Sequence, residues 1–384
     1  MNKMIMNRKI MKKYIWGQYF TRGEIVRKVI DLILEFKKYD KNIKILEPAF
    51  GTGNFIRVLK EKGFKNIEGC EIDPRFTKTP QDFFLYPLEK KFDLIIGNPP
   101  FTKYNIKESY FYPKKYFQSP IHPRKYLPRK LLKKEKIRIE NAFILKSIKH
   151  LKDKNSTIGF VLPASFFIEG KNLETKKVIA ENFKTIIVYQ NEGKMVDEPI
   201  PCVFAIFTNI KEFENKILLI YENNEKKVVK EVLDKEKLLT DEIIPKTYFY
   251  RKNNDLKGIP LSEFLLDKPV RYKKSFTKYN VSAANILAKT RIPPGENVSD
   301  YYLAVVRVGN ASVGRAGLIN IKKDILNDMF YVFAFKEKYN NNREIKEKIC
   351  RILNENQEYF KNITIRVGSK SIKKRDILNF KIKI

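Results

Sequence analysis

Apolar positions in the first half of the chain recur with two distinct periods. Over residues 21–38, TRGEIVRKVIDLILEFKK, the side chains of Ile25, Val26, Val29, Ile30, Ile33 and Leu34 fall on one helical face. Thr21 and Glu24 have the spacing of a capping box at its start. Short apolar runs follow: IKIL (43–46), IEGCEI (67–72), FDLIIG (92–97), TIGFVLP (157–163) and TIIVY (185–189). Helical segments separate several of them, including Asn54–Lys62, closed by Gly63, and Glu135–Leu151. Strands alternating with helices at this spacing predict an α/β fold, a Rossmann-like, mostly parallel, doubly wound sheet.

After CVFAIFT (202–208) lysine-rich strands and turns replace the alternation, and a helix is predicted near Arg343–Tyr359. The spacing therefore predicts two domains, 1–225 and 226–384, the second a mixed α/β module; 384 residues are ample for two cores.

Charge changes the picture. Lysine and arginine outnumber aspartate and glutamate 77 to 44, a formal +33, which implies an anionic partner, with nucleic acid foremost. An A+T-biased genome, which inflates lysine, would add to the same number. Cys70, Cys202 and Cys350 are too scattered for a disulfide framework or a C-x-x-C site, and they fit a reduced cytoplasm, the expected location. His122 and His150 are the only histidines, which leaves little for zinc or a Ser-His-Asp triad, so no metal is expected. The start, MNKMIMNRKIMKKYIWG, interleaves lysines with single apolar residues, unlike a signal peptide. No apolar run approaches the roughly 20 residues a bilayer requires, so no membrane association is expected.

Candidate chemistry begins at ILEPAFGTGNF (45–55), which follows a predicted strand and opens a helix. Gly51 and Gly53 let backbone approach a ligand beside the helix N-terminus. Glu71, in CEIDP, lies about 20 residues further on, where nucleotide-binding sheets place the carboxylate that grips ribose hydroxyls. A third glycine is missing, which disfavours a nicotinamide dinucleotide and favours a phosphate-free nucleoside such as S-adenosylmethionine. Asp82, expected at the end of a third strand, could accept from an adenine amine; a surface aspartate is the plain alternative.

The run IIGNPPF (95–101) ends a predicted strand in a rigid, donor-poor corner. The exocyclic nitrogen of adenine is a poor nucleophile because its lone pair is delocalised into the ring. Acceptors aimed at its hydrogens would pull it toward tetrahedral geometry. Asn98 offers a side-chain oxygen and Pro99 a main-chain carbonyl at a fixed angle, Pro100 stiffens the corner, and Phe101 offers a face on which a base can stack. Acceptors organised in advance stabilise developing charge without metal or general base.

These motifs, in this order, resemble the S-adenosylmethionine-dependent DNA adenine-N6 methyltransferases whose cofactor motifs precede the catalytic one and whose recognition domain comes last. GQYFTRGEIV (17–26) resembles the N-terminal cofactor motif, LEPAFGTGNF the glycine-rich motif, EID the ribose-binding acid, and DFFLYP and NPPF complete the order. GFVLPASFF (159–167) resembles the strand after the catalytic loop, so the likeness covers about residues 15–210. It implies Tyr19 and Thr21 at the methionine end of the cofactor, Glu47 near its amino group, and Pro48 and Ala49 within the glycine-rich motif. It also implies Glu71 at the ribose, Ile72 and Phe83 at the adenine faces, Asp82 at the adenine amine, and Phe143 against the adenine. Thr21 equally fits a helix cap, and Phe143 a core position. Where the family often carries a second base-stacking aromatic, this chain reads GKMVDEPIP (193–201), with Met195 a weak substitute.

Residues 102–134 interleave tyrosines with Lys103, Lys114, Lys115, Arg124, Lys125 and Arg129, a pattern suited to phosphates and unstacked bases as well as to a solvated insertion. VRVGNASVGRAGLI (306–319) and IRVGSKSIKKRDILNFKI (365–382) resemble segments of restriction-modification specificity subunits. There Gly309, Gly314 and Gly317 are expected in tight turns, and Arg307, Arg315, Lys370, Lys373 and Lys374 on phosphates. The expected partners are double-stranded DNA and a companion restriction endonuclease. The rival readings are an RNA or protein-glutamine methyltransferase, a noncatalytic DNA specificity subunit and, more distantly, a dinucleotide oxidoreductase.

Overall fold

A computed structural model of the chain describes residues 17–104, 137–253, 258–364 and 371–383. It divides into two compact units, Met1–Pro245 and Lys246–Ile384.

The first unit is built on β1 (Lys44–Glu47), β2 (Asn66–Gly69), β3 (Leu94–Gly97), β6 (Thr157–Pro163), β7 (Thr185–Asn191), β8 (Cys202–Thr208), β9 (Lys216–Glu222) and β10 (Val228–Asp234). A short antiparallel pair, β4 (Lys103–Tyr104) and β5 (Ile137–Arg138), stands apart. The eight strands form one sheet in the order β10-β9-β7-β8-β6-β3-β1-β2, and all but β8 and β10 run in the same direction. Every residue of β6 and β8 is buried, which is why both read as unbroken apolar runs rather than alternations. Helices α1 (Gly23–Phe36) and α2 (Asn54–Glu61) cover one face, where Val26, Val29, Ile30 and Val58 meet Ile45, Ile96, Val161 and Phe204. Helix α3 (Ile139–His150), buried continuously from Ile139 to Ser147, lies against β6 and against α4 (Leu173–Asn182).

Three expectations are corrected here. The first unit reaches Pro245, not residue 225: VVKEVLD, polar enough to suggest a new domain, is the antiparallel edge strand β10. Its largely exposed, charged pattern is what an edge strand requires. No strand leads to Asp82, because Pro74 and Pro80 remove ladder donors; Asp82 instead caps a 3-10 turn over Phe83–Leu85. Nor do Thr21 and Glu24 form a capping box. Arg22 is the N-cap of α1, without a side-chain cap bond, and Thr21 pairs across to Val196.

The second unit centres on an antiparallel sheet of β13 (Tyr301–Val306), β14 (Ala316–Asn320) and β16 (Phe330–Phe333), in the order β14-β13-β16. Two-residue strands β11 (Ile259–Pro260) and β17 (Lys381–Ile382) pair with each other, as do β12 (Lys273–Lys274) and β15 (Ile325–Leu326). Both faces of the central sheet are covered. Leu303 and Val305 face the core containing α5 (Arg343–Glu355), while Ala304 and Val306 face a second core with Val281, Ile286 and Leu326. The helix expected over Arg343–Tyr359 breaks after Glu355, and a separate helix spans Gln357–Asn362.

Gly309 and Gly314 have the positive φ of turns, but Gly317 lies inside β14 opposite Ala304. A Cβ there would come within 2.7 Å of the Ile286 carbonyl oxygen. Gly317→Ala is therefore expected to destabilise the second unit by about 2 kcal/mol through overpacking, read as a lower urea midpoint at unchanged slope.

Candidate active site

The carboxyl ends of β1, β2 and β3 open onto a cavity of about 620 Å³. Its floor is the loop after β1. Gly51 has φ +51°, and a Cβ on it would lie 2.9 Å from the Phe20 ring, so the loop and the N-terminal segment approach as only glycine allows. Gly53 adopts φ +74° as the N-cap of α2, where it turns the backbone, and it is not among the residues lining the cavity.

Carboxylates ring the space. Glu47, 2 % exposed, accepts from the Ile56 N–H at 3.2 Å inside the first turn of α2. Burial, reinforced by nearby Glu71 and only partly offset by that hydrogen bond, pushes its carboxyl well above the usual range. Glu71 is buried; its two oxygens accept from Gly51 N–H at 2.7 Å and Asp73 N–H at 2.8 Å. Each carboxylate oxygen has a second lone pair, so Glu71 can still face a ligand while holding the loop. Glu71→Ala would orphan both donors, and a stability loss of about 2 kcal/mol is expected in chemical denaturation. Asp82 accepts from the Phe84 N–H at 2.9 Å through one oxygen. Ile72, half exposed, and Phe83, buried against Phe143 at 4.9 Å between ring centroids, stand on the wall with Pro48 and Ala49. Among the described residues no lysine or arginine lines the cavity, despite the strong positive charge of the chain.

A strap, Gly17–Thr21, forms another wall. The Gly17 carbonyl accepts from Phe101 N–H at 2.9 Å, and Phe20 exchanges hydrogen bonds with Asp197. The Gln18 amide donates to Asp73 at 2.9 Å and accepts from Arg75 at 2.8 Å. Burial works against the Asp73 charge, yet the Arg75 guanidinium and Gln18 hold its carboxyl down at about 2. Asn54, from the glycine motif, donates to the Thr21 carbonyl at 3.1 Å and ties the strap to α2.

The corner after β3 meets this strap. Asn98 Nδ2 donates to the Tyr19 carbonyl at 2.5 Å, which fixes the amide plane. Asn98 Oδ1 is buried without a hydrogen-bond partner among the described residues, as is Thr21 Oγ1; both residues line the cavity. Pro99 is buried and Pro100 lines the cavity. The Phe101 ring does not line it. That ring stacks on Tyr19, with centroids 5.7 Å apart. Met195 is also corrected, being 1 % exposed in the α1 core and absent from the cavity wall.

A family model, described as Eco57I restriction-modification methylase, matches residues 5–196. The chain belongs to that family. The chain is similar to the Type II methyltransferase M.HincII of Haemophilus influenzae, 32% identical over 217 residues, 52% of this chain and 38% of that one. It is also similar to M.TthHB8I of Thermus thermophilus, 29% identical over 191 residues, 46% of this chain and 42% of the other. The chain thus spans about four tenths of the length of these curated relatives. In fold it is similar to the type IIG restriction endonuclease BpuSI, with TM-score 0.53 at 13% identity over 95% of this chain and 59% of that one.

Gln18, Phe20 and Asn54 were not singled out in the sequence, although all stand inside motifs quoted for other residues; their roles depend on contacts between distant segments. The expected phosphate contacts of the chain fare differently. Lys114, Lys115, Arg124, Lys125 and Lys370 lie outside the described residues, and Lys103 is on β4. Three others are engaged within the fold: Arg307 with the Asp328 carbonyl at 3.0 Å, Arg315 with the Ala283 carbonyl at 3.1 Å, and Lys374 with Asp267 at 2.7 Å. Lys373 caps the short helix Lys374–Leu378. Among the described residues no helix is long and apolar enough to cross a membrane.

Proposed function

We propose that the first unit transfers a methyl group from S-adenosylmethionine to N6 of an adenine flipped out of duplex DNA, and that the second unit reads the target sequence. Family membership supports methyl transfer within a restriction-modification system, with a companion restriction endonuclease as the partner. The observation that carries the adenine assignment is the buried, unpartnered Asn98 Oδ1 at the cavity rim. An acceptor left unmatched in a folded interior calls for an explanation, and an incoming amine supplies one.

The cavity fits the cofactor by the chemistry of its donors. Glu47 suits an ammonium group, Glu71 a ribose diol and Asp82 an aromatic amine, and among the described residues no cation lines the cavity to meet the phosphates of a dinucleotide. When bound, the cofactor supplies an electrophilic sulfonium methyl. Asn98 and the Pro99 carbonyl accept from the two amine hydrogens and localise the lone pair on nitrogen, and the proton that the product amine must shed passes to water. Tyr19 stacked on Phe101 provides the aromatic wall beside this corner.

Mass spectrometry of nucleosides from plasmid DNA of expressing cells tests the proposal, with N6-methyladenine expected. N4-methylcytosine would overturn the choice of base. Label appearing only in RNA or protein when purified enzyme and labelled cofactor are given all three substrates would overturn the choice of DNA.

A further inference from the structure

The lysines and arginines that the sequence singled out in the second unit are largely occupied within the fold, yet one stretch keeps its cations exposed. From Lys268 to Gly295 there is no acidic residue. Lys289 in that stretch pairs with Asp324, and Lys273 donates to the Lys322 carbonyl. Arg271, Lys274 and Lys278 are exposed and make no ion pair among the described residues. Between them stands Phe276, 74% exposed, the most exposed large apolar side chain among the described residues, with Tyr279 close behind in sequence at 43%.

This loop is held in place. Ser275 N–H donates to the Leu326 carbonyl at 2.9 Å, and Asn280 N–H donates to the Ile325 carbonyl at 3.1 Å, so both ends are sewn to β15. Across the bend, Ser275 Oγ accepts from Lys278 N–H at 2.9 Å and Thr277 N–H at 3.3 Å. Lys274 Nζ sits 5.4 Å from the Phe276 ring centroid, an ammonium against one side of the ring. A single exposed phenylalanine is ordinary; one at the tip of an anchored loop, flanked by unpaired cations and no acid, is a presented group.

We propose that residues 271–279 form a duplex-DNA contact of the second unit: Arg271, Lys274 and Lys278 neutralise phosphates, while Phe276 is an apolar wedge against a base step. Charge complementarity selects a polyanion, and the ring selects one with exposed apolar base edges over a simple anionic surface. The inference rests on the DNA reading above.

The test is equilibrium binding of the full chain to labelled duplex DNA across salt concentrations. Lys274→Gln/Lys278→Gln is expected to weaken binding on the order of tenfold per lysine at about 0.1 M salt and to flatten the log–log salt slope by about 2. Phe276→Ala is expected to weaken binding on the order of tenfold at unchanged slope. Lys227→Gln, an exposed lysine of the first unit, controls for charge alone. All four side chains are on the surface, so thermal midpoints should match the parent protein. A double variant with the parental slope, or no weaker than the control, overturns the phosphate contacts. Parental affinity in Phe276→Ala overturns the wedge, as does a loss confined to RNA of the same sequence. If the parent chain itself binds no duplex at low salt, the DNA reading fails and the loop assignment with it; failure of the variants alone removes only the loop.

Discussion

Asn98→Ala is expected to slow methyl transfer by about 10²- to 10³-fold while cofactor affinity stays close to the parental value. The rate term is the usual scale for removing one preorganised partner of a developing charge. Binding survives because the carboxylates at Glu47, Glu71 and Asp82 stand on other segments of the cavity. The folded state should tolerate the change, since the side chain removed carries the unpartnered Oδ1 and a single donor to the Tyr19 carbonyl. Asn98→Asp separates acceptor from geometry. It keeps an oxygen for the amine but sets a carboxylate against the Tyr19 carbonyl, so it should also fail, with a displaced strap. Single-turnover methyl transfer together with calorimetric cofactor titration reads both quantities. A parental rate in Asn98→Ala would remove the proposed chemistry.

The second large effect concerns Glu47. Burial, reinforced by Glu71, disfavours its charge and sets its pKa well above the usual carboxylate range. A cationic amino group reverses that preference, so binding must release the proton whenever the pH lies below the raised pKa of Glu47. Cofactor affinity should therefore climb as pH rises toward that pKa and level off above it. For folding the sign is opposite. A carboxyl whose pKa is raised in the folded protein adds stability below its unfolded value, near 4.5, that is lost as pH rises through the folded value. Glu47→Gln should weaken binding by about 2 kcal/mol, the scale of a hydrogen bond to a charged group. It should also flatten the pH dependence and gain stability at neutral pH. Calorimetry in buffers of different ionisation enthalpy would count the released proton directly. An unaltered pH profile in Glu47→Gln would show that the ammonium is held elsewhere.

Much of the first unit was legible because its central strands are buried on both faces and so carry uninterrupted apolar runs, as TIGFVLP and CVFAIFT do. The glycine loop, Glu71 and the Asn-Pro-Pro corner were legible because their constraints are local: a positive φ, a carboxylate at a strand end, a locked φ at proline. What escaped was nonlocal or marginal. VVKEVLD has the polarity of a linker because an edge strand shows one side to water. The Asp82 segment reads as a strand by position in the order of motifs, but its prolines leave a capped turn. Tyr19 and Phe101 each read as a ligand contact, and no spacing rule foretells that they stack on each other. Arg307 and Arg315 resemble phosphate ligands in any sequence window, whereas the fold turns them onto main-chain carbonyls.

The strap has a practical consequence for anyone editing this polypeptide. Its hydrogen bonds among the described residues include those to Phe101, Asn98, Asn54, Asp73, Arg75 and Asp197, and none of the sheet strands depends on it for a neighbour. A product with Gly17–Thr21 replaced by a glycine–serine spacer should keep its circular dichroism and much of its heat resistance yet lose one side of its binding chamber. It would pass a folding assay and fail as an enzyme.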